Sequence, residues 1–129
     1  MKAPRVFRAA SLAAACLAGA SLLTACDSGP KPPPGVTGDP ALGKLALTQY
    51  ACQSCHKIPG VIGSDTFVGR PLEGIGKRPF IAGDLLNNQP NLMRWIQDPQ
   101  SVQPNTAMPD LGVSEKDARN ISAYLLTLD

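Results

Sequence analysis

The segment Cys52-Gln53-Ser54-Cys55-His56 places two thiols and one imidazole close together in the chain. A Cys-x-x-Cys-His segment is typical of a site where haem is attached covalently through thioether bonds. On a helix, the two cysteines and the histidine fall at positions i, i+3 and i+4, which share one face. Both thiols could then bond to the haem vinyl groups while the imidazole binds the iron. The segment therefore predicts one covalently attached haem c.

A Cys-x-x-Cys pair has two other common uses. In a thioredoxin-like redox motif it lies within a βαβ unit, but no alternating strand-like segments flank the pair in this chain. A structural zinc site needs about four Cys or His ligands, and the chain has only four cysteines and one histidine in total. The sequence around the motif therefore favours haem attachment.

The second axial ligand of the iron has to come from a residue other than histidine, because His56 is the only histidine. A methionine sulfur is the usual protein-derived alternative. Met1 falls in a segment expected to be removed, and Met93 falls in an apolar helical pattern where methionine usually fills the core. Met108 lies between Pro104 and Pro109, which exclude a regular helix. We predict His56 and Met108 as the metal ligands, with Met93 as the alternative.

The elements expected to position these residues are helices. Start signals occur at Asp39-Pro40, at Gln89-Pro90-Asn91, and at Ser114 followed by Glu115 and Asp117. The first helix is expected to run towards Cys55, and the second to end at Asp98-Pro99. The last carries an apolar stripe at helical spacing. Residues 58–88 are rich in Gly and Pro and are expected to be mostly loop, so the predicted fold class is all-α.

The N-terminus has the features of an export signal. Three basic residues precede an apolar stretch at residues 9–23, as in a secretory signal peptide. Leu23-Thr24-Ala25-Cys26 resembles a bacterial lipobox, which predicts a lipoprotein signal peptide at residues 1–25 and lipidation of Cys26. The alternative is an uncleaved membrane anchor of near-minimal length. Asp27 resembles an inner-membrane retention signal, so the expected location is the periplasmic side of that membrane.

The remaining chain divides into a tether and one domain. Residues 26–38 comprise the lipidated cysteine and a proline-rich tether, which would be extended at about 3.1 Å per residue. Residues 39–129 are expected to form a single small domain. The precursor has 12 basic and 10 acidic residues, and loss of the signal peptide removes three basic ones. The mature chain is then close to neutral, which argues against nucleic-acid binding.

Taken together, the motifs resemble those of a class I c-type cytochrome over residues 38–128. The matching segments are Gly38-Asp39-Pro40-Ala41, Cys52 to His56, Pro104 to Pro109 and Ile121 to Leu125. Residues 91–99 and Met108-Pro109 are also similar to the cytochrome domains fused to subunit II of some haem–copper oxidases. The resemblance implies a cytochrome c-like fold, with short helices packed around one covalent haem.

The resemblance also implies roles for individual residues. Trp95 is expected to line the haem near Met108; the alternative is simple core packing, and the two roles are compatible. Arg78 is expected to contact a haem propionate, the alternative being a solvated surface arginine. Arg70 and Pro71 stand in a Gly-Arg-Pro-Leu segment where the family usually has Gly-Pro-x-Leu. In the family, a backbone carbonyl in this segment accepts a hydrogen bond from the axial histidine.

The function implied is one-electron transfer rather than catalysis. The partners would be a redox donor and acceptor such as a dehydrogenase or a terminal oxidase, with the membrane reached through the N-terminal lipid. The alternative is a cytochrome subunit permanently docked to a membrane or periplasmic oxidoreductase. An enzyme or gas sensor would require an iron that Met108 does not ligate, and a redox-inactive assembly factor would leave the haem motif without a use.

Overall fold

The computed structural model describes residues 29–129 of the 129-residue chain. This part contains α1 (Pro40–Gln49), β1 (Phe80–Ile81), β2 (Leu85–Leu86), α2 (Gln89–Gln97), α3 (Pro99–Val102) and α4 (Glu115–Leu125). Single 3₁₀ turns occur at Cys52–Ser54 and Ile75–Lys77. None of the helices within residues 29–129 is long and apolar enough to span a bilayer. The predicted signal peptide and Cys26 lie outside the described residues.

The helices begin where the sequence signals predict. The carboxylate of Asp39 accepts hydrogen bonds from two backbone N–H groups of the first turn of α1. The Asn88 side chain caps α2 in the same way, and Ser114 caps α4 by accepting from the N–H of Asp117. Each cap satisfies N–H groups that have no partner within the helix. The predicted end of α2 is also confirmed, but Pro99 then opens the short helix α3 rather than a loop.

The first helix runs towards Cys55, as predicted, and ends at Gln49, before the cysteine motif. Ala51 adopts the left-handed conformation, with φ of 55°, which ends a helix much as a glycine does at this position. The break allows the Tyr50 hydroxyl to donate a 2.9 Å hydrogen bond to Asp117 on α4. The cysteine motif therefore forms its own turn, separate from α1.

The all-α prediction requires a correction, because residues 80–86 form a small antiparallel hairpin. Phe80 pairs with Leu86 and Ile81 with Leu85. The chain reverses through Ala82 and Gly83, whose φ angles are 46° and 94°. Two residues per strand are too few to give the alternating pattern from which strands are predicted. The fold is therefore mostly helical, with one minimal sheet.

The core is built around the contact between the first and last helices. α1 packs against α4 and α2 packs against the same helix. A Cβ atom at Gly43 would lie 2.9 Å from the backbone nitrogen of Ile121, so the two helices cross backbone to backbone at this point. Leu47 and Ile121 are each 1% exposed. The absence of a side chain at Gly43 is therefore what permits this close crossing.

The last residues of the predicted tether are attached to the domain. Val36 packs against the core cluster. The side-chain amide of Gln89 accepts from the N–H of Thr37 at 2.8 Å and donates to its carbonyl at 2.5 Å. The N–H of Asp39 donates to Asn120 Oδ1 at 2.9 Å. Any free tether therefore ends before Val36.

Candidate haem site

The cysteine motif forms one tight turn. The N–H groups of Cys55 and His56 both donate to the carbonyl of Cys52, at 3.2 and 3.0 Å. The bond from His56 is the i to i+4 bond of an α-helical turn, so the two thiols and the imidazole project from the same turn. Both thiols are free and half-buried. The local geometry predicted for Cys52, Cys55 and His56 is therefore reached without extension of α1.

The imidazole of His56 is held from one side by the backbone. Its Nδ1 lies 2.8 Å from the carbonyl oxygen of Arg70. Because a carbonyl only accepts, Nδ1 carries the proton and donates, which leaves the lone pair of a neutral imidazole on Nε2. A Cβ atom at Gly69 would lie 2.7 Å from Nδ1, so glycine is required where the ring rests on the chain.

The segment that supports the histidine is fastened by an arginine. Nη2 of Arg78 donates to the carbonyls of Pro71 and Glu73, at 2.5 and 2.7 Å. Partial burial lowers the pKa of the Arg78 guanidinium, and the nearby charge of Arg70 adds to that effect. Arg78 therefore stabilises the chain on which Arg70 presents its carbonyl to the imidazole.

A charged pair lies beside the motif. Lys57 Nζ is 2.8 Å from Glu73 Oε1 and 5.9 Å from the centre of the Phe67 ring. The lysine that follows the axial histidine in sequence is therefore largely neutralised by a carboxylate from the supporting segment. In three dimensions, Arg70 lies beside the motif as well, although 14 residues separate it from His56.

Burial also acts on the first thiol of the motif. Burial raises the pKa of the Cys52 thiol, against a smaller lowering by a hydrogen bond from its own backbone, while the Cys55 thiol adds to the rise. The Cys52 thiol is therefore neutral at neutral pH. A neutral, half-buried thiol is the form in which a cysteine tolerates an apolar surrounding.

Met108 lies in an irregular segment after α3, as predicted. Its N–H donates to Thr106 Oγ1 at 3.2 Å, and its carbonyl accepts from Gln100 Nε2 at 2.8 Å. The backbone at Met108 is thus fixed on both sides by side chains, while its own side chain is only half-buried. Trp95 is also half-buried and packs against the core cluster.

Met93 occupies a different environment. It packs against the core cluster from α2, and it also lines an open groove between α2, α3 and the start of α4. None of Cys52, Cys55, His56 and Met108 lines this groove. Met93 therefore packs against the core, as the sequence suggested.

The donor set fits a c-type haem. Two free thiols and an imidazole with its lone pair on Nε2 share one turn, and Nδ1 has its own acceptor. Neutral imidazole nitrogen is a suitable ligand for haem iron. Among the described residues, no group of three or more His, Cys, Asp and Glu side chains is arranged to hold a bare metal ion. The chemistry available to the turn is therefore attachment and axial ligation of a haem.

Several residues that build the site were not identified from the sequence. Gln100, Gln103 and Thr106 hold the methionine segment, and Asn87 donates to the carbonyls of Ile75 and Arg78. The only local signal is the clustering of amide and hydroxyl side chains before Met108. Their partners lie elsewhere in the chain, so the contacts depend on the completed fold.

The turn with its two thiols, the backbone-held histidine and the mostly helical fold together define a c-type cytochrome. The family model described as cytochrome c matches residues 40–129. The chain therefore belongs to the cytochrome c family, whose members bind haem c and carry electrons.

Two relatives sharpen the comparison. The chain is 37% identical over 87 residues to cytochrome c oxidase subunit 2 of Alkalihalophilus pseudofirmus, covering 67% of this chain and 25% of that protein. It is 29% identical over 99 residues to the protein of the same name from a Bacillus species (strain PS3), covering 74% and 28%. The chain thus spans about a quarter of these relatives, and its resemblance to the oxidase subunit is confirmed. No solved structure matches it.

Proposed function

We propose that the protein is a monohaem one-electron carrier of a bacterial respiratory chain, with His56 and Met108 as axial ligands. The observation that carries the proposal is the 2.8 Å contact between His56 Nδ1 and the carbonyl of Arg70. With Nδ1 engaged by the backbone, Nε2 is the nitrogen that would bind an iron, on the same turn as the two thiols. A bound haem would supply an iron that cycles between Fe(II) and Fe(III).

The residues of the chain have separate tasks in this proposal. Cys52 and Cys55 would hold the haem by thioether bonds, which would retain the group through each cycle. His56 supplies a neutral nitrogen, and the Arg70 carbonyl keeps the ring from rotating. Met108 supplies a neutral sulfur, and two neutral ligands favour the reduced state. With His56 and Met108 both bound, the metal would be closed to substrate, which suits electron transfer and not catalysis.

The location and partners are part of the same proposal. Lipidation of Cys26 would place the domain on the periplasmic side of the inner membrane, held by a tether that ends before Val36. The similarity to oxidase subunit 2 supports a terminal oxidase as electron acceptor. The alternative is a cytochrome subunit docked permanently to a membrane or periplasmic oxidoreductase, which the same similarity also supports.

The mature protein, purified from membranes, tests the proposal. We expect its mass to include one haem after denaturation, with the N-terminus at an acylated Cys26. Haem that is extracted by acidified organic solvent would contradict covalent attachment, and normal membrane association of Cys26→Ala would contradict the anchor. A native pull-down after gentle solubilisation distinguishes the two forms of the function: a carrier is recovered alone, and a subunit is recovered with its complex.

A further inference from the structure

A continuous series of hydrogen bonds connects the hairpin to the methionine segment. Nε2 of Gln103 donates to the carbonyl of Ala82 in the hairpin turn. The carbonyl of Gln103 accepts from the N–H of Thr106 at 3.0 Å, and Thr106 Oγ1 accepts from the N–H of Met108 at 3.2 Å. Each link joins the next through the same residue, so the hairpin turn and Met108 are mechanically connected.

The hairpin turn is shaped to receive the Gln103 amide. Ala82 has a φ of 46°, which is unfavourable for a residue with a Cβ atom and persists only where its surroundings impose it. Gly83 has a φ of 94°, and a Cβ atom there would lie 2.6 Å from Gln103 Nε2. The turn therefore exposes the Ala82 carbonyl and leaves space for the amide that binds it.

We propose that Gln103 is a positioning residue for Met108, and that its bond to Ala82, the Gln103 brace, holds the methionine segment in the conformation from which Met108 would bind the iron. The inference rests on the proposed ligation by Met108. Residues 103–109 have no helix or strand of their own, so no regular ladder of backbone hydrogen bonds keeps them in place. Such segments open locally at low cost, and each bond removed makes opening more frequent.

The brace and Gln100 hold different parts of the segment. Gln100 lies on α3, which packs against α2, and it bonds the carbonyl of Met108. The Gln103 brace holds the start of the segment and reaches 21 residues back in sequence, to the hairpin. It therefore ties the segment to a second element, separate from the α2–α3 pair.

The test uses the ferric holoprotein and imidazole as an exogenous ligand. At saturating imidazole, the rate of binding is set by how often the native sulfur leaves the iron. We expect Gln103→Ala to raise this rate about fivefold to tenfold, the factor that corresponds to about 1–1.4 kcal/mol for one lost hydrogen bond. Gln103→Glu keeps the side-chain length but lacks the N–H donor, so it should raise the rate similarly. Gly83→Ala should do so by displacing the amide.

Two controls separate the brace from general destabilisation. Gln49→Ala removes an exposed glutamine of α1, and Leu47→Ala weakens the α1–α4 core far from the brace. Both should leave the imidazole rate within twofold of wild type, and a rise in either equal to that of Gln103→Ala would overturn the proposal. An unchanged rate in Gln103→Ala would overturn the brace alone, provided that Met108→Ala loses the ferric near-infrared band. Retention of that band in Met108→Ala would refute ligation by Met108 and the brace with it.

Discussion

The α1–α4 pair and the Met108 segment are held in opposite ways. The two helices meet over buried side chains and a backbone crossing at Gly43. Residues 103–109 are held by single hydrogen bonds from Gln100, Gln103 and Thr106. Burial spreads stability over many contacts, whereas single bonds concentrate it in a few side chains. The helical pair therefore determines whether the domain folds, and the methionine segment determines how firmly it presents its ligand.

The largest loss of stability is expected in the helical pair. Leu47 is 1% exposed, so Leu47→Ala should lower the free energy of unfolding by about 2–5 kcal/mol. Leu45 lies on the same helix but is 60% exposed, and Leu45→Ala should change it by less than about 0.5 kcal/mol. Chemical denaturation of the holoprotein measures both. Equal losses in the two variants would contradict the distinction between the faces of α1.

Substitutions of Met108 and Met93 should differ in their effect on iron ligation. Met108→Ala should abolish the weak near-infrared band of ferric iron–methionine ligation, lower the reduction potential and open the iron to exogenous ligands. Met93→Ala should keep the band, and since Met93 is half-buried it should cost about 2 kcal/mol of stability or less. Absorption spectra, redox titration and denaturation cover all these outcomes. Loss of the band in Met93→Ala alone would show that the ligand is misassigned.

A smaller effect is expected on stability at low pH, through the hydrogen bonds of Asp117 between α1 and α4. The Ser114 hydroxyl, and then the Tyr50 hydroxyl, hold the pKa of Asp117 below its ordinary value by donating to the carboxylate. A group with a lowered folded pKa stabilises the fold above its unfolded pKa, and that contribution is lost as pH falls through the folded value. Unfolding free energy should therefore fall less steeply below about pH 4 in Tyr50→Phe and Asp117→Asn than in wild type.

A matched charge variant makes the acid test specific. Asp65 is exposed in a loop, and Asp65→Asn changes the net charge by the same amount as Asp117→Asn. Below about pH 4, the free energy of unfolding of Asp65→Asn should depend on pH as it does in wild type. Flattening by the same amount in both aspartate variants would trace the effect to net charge and not to the bonds from Ser114 and Tyr50.

The smallest expected effect is the response of partner binding to salt. Lys57 is paired with Glu73, and residues 29–129 contain nine basic and nine acidic side chains, so long-range steering should contribute little. The rate of electron transfer to the native partner should change only a few-fold between about 10 and 150 mM salt, where the screening length falls from about 30 to 8 Å. Stopped-flow measurements test this. A fall of a hundredfold would indicate a local charge patch centred on groups such as Arg70.

The parts of the structure that the sequence could predict are those that depend on neighbouring residues. The caps at Asp39 and Ser114 are local signals, and both helices begin where those signals lie. The end of α1 was not predicted, because Ala51 carries no glycine-like signal for its left-handed backbone. The hairpin and the Gln103 brace depend on the completed fold, so neither residue type nor spacing predicts them. The candidate ligands were identifiable because their chemistry is local, whereas their supports were not.

The pairing of α1 with α4 also affects the order in which the chain acquires structure. Asp39 and Asn120, which bond across this contact, are 81 residues apart, so closure requires nearly the whole domain. Contacts of such long range are slow to form, because the chain entropy is lost before the burial is gained. As the chain is synthesised from its N-terminus, Cys52 and Cys55 exist before α4 does. Haem attached at that stage would meet an open chain in which α1 still lacks its final partner.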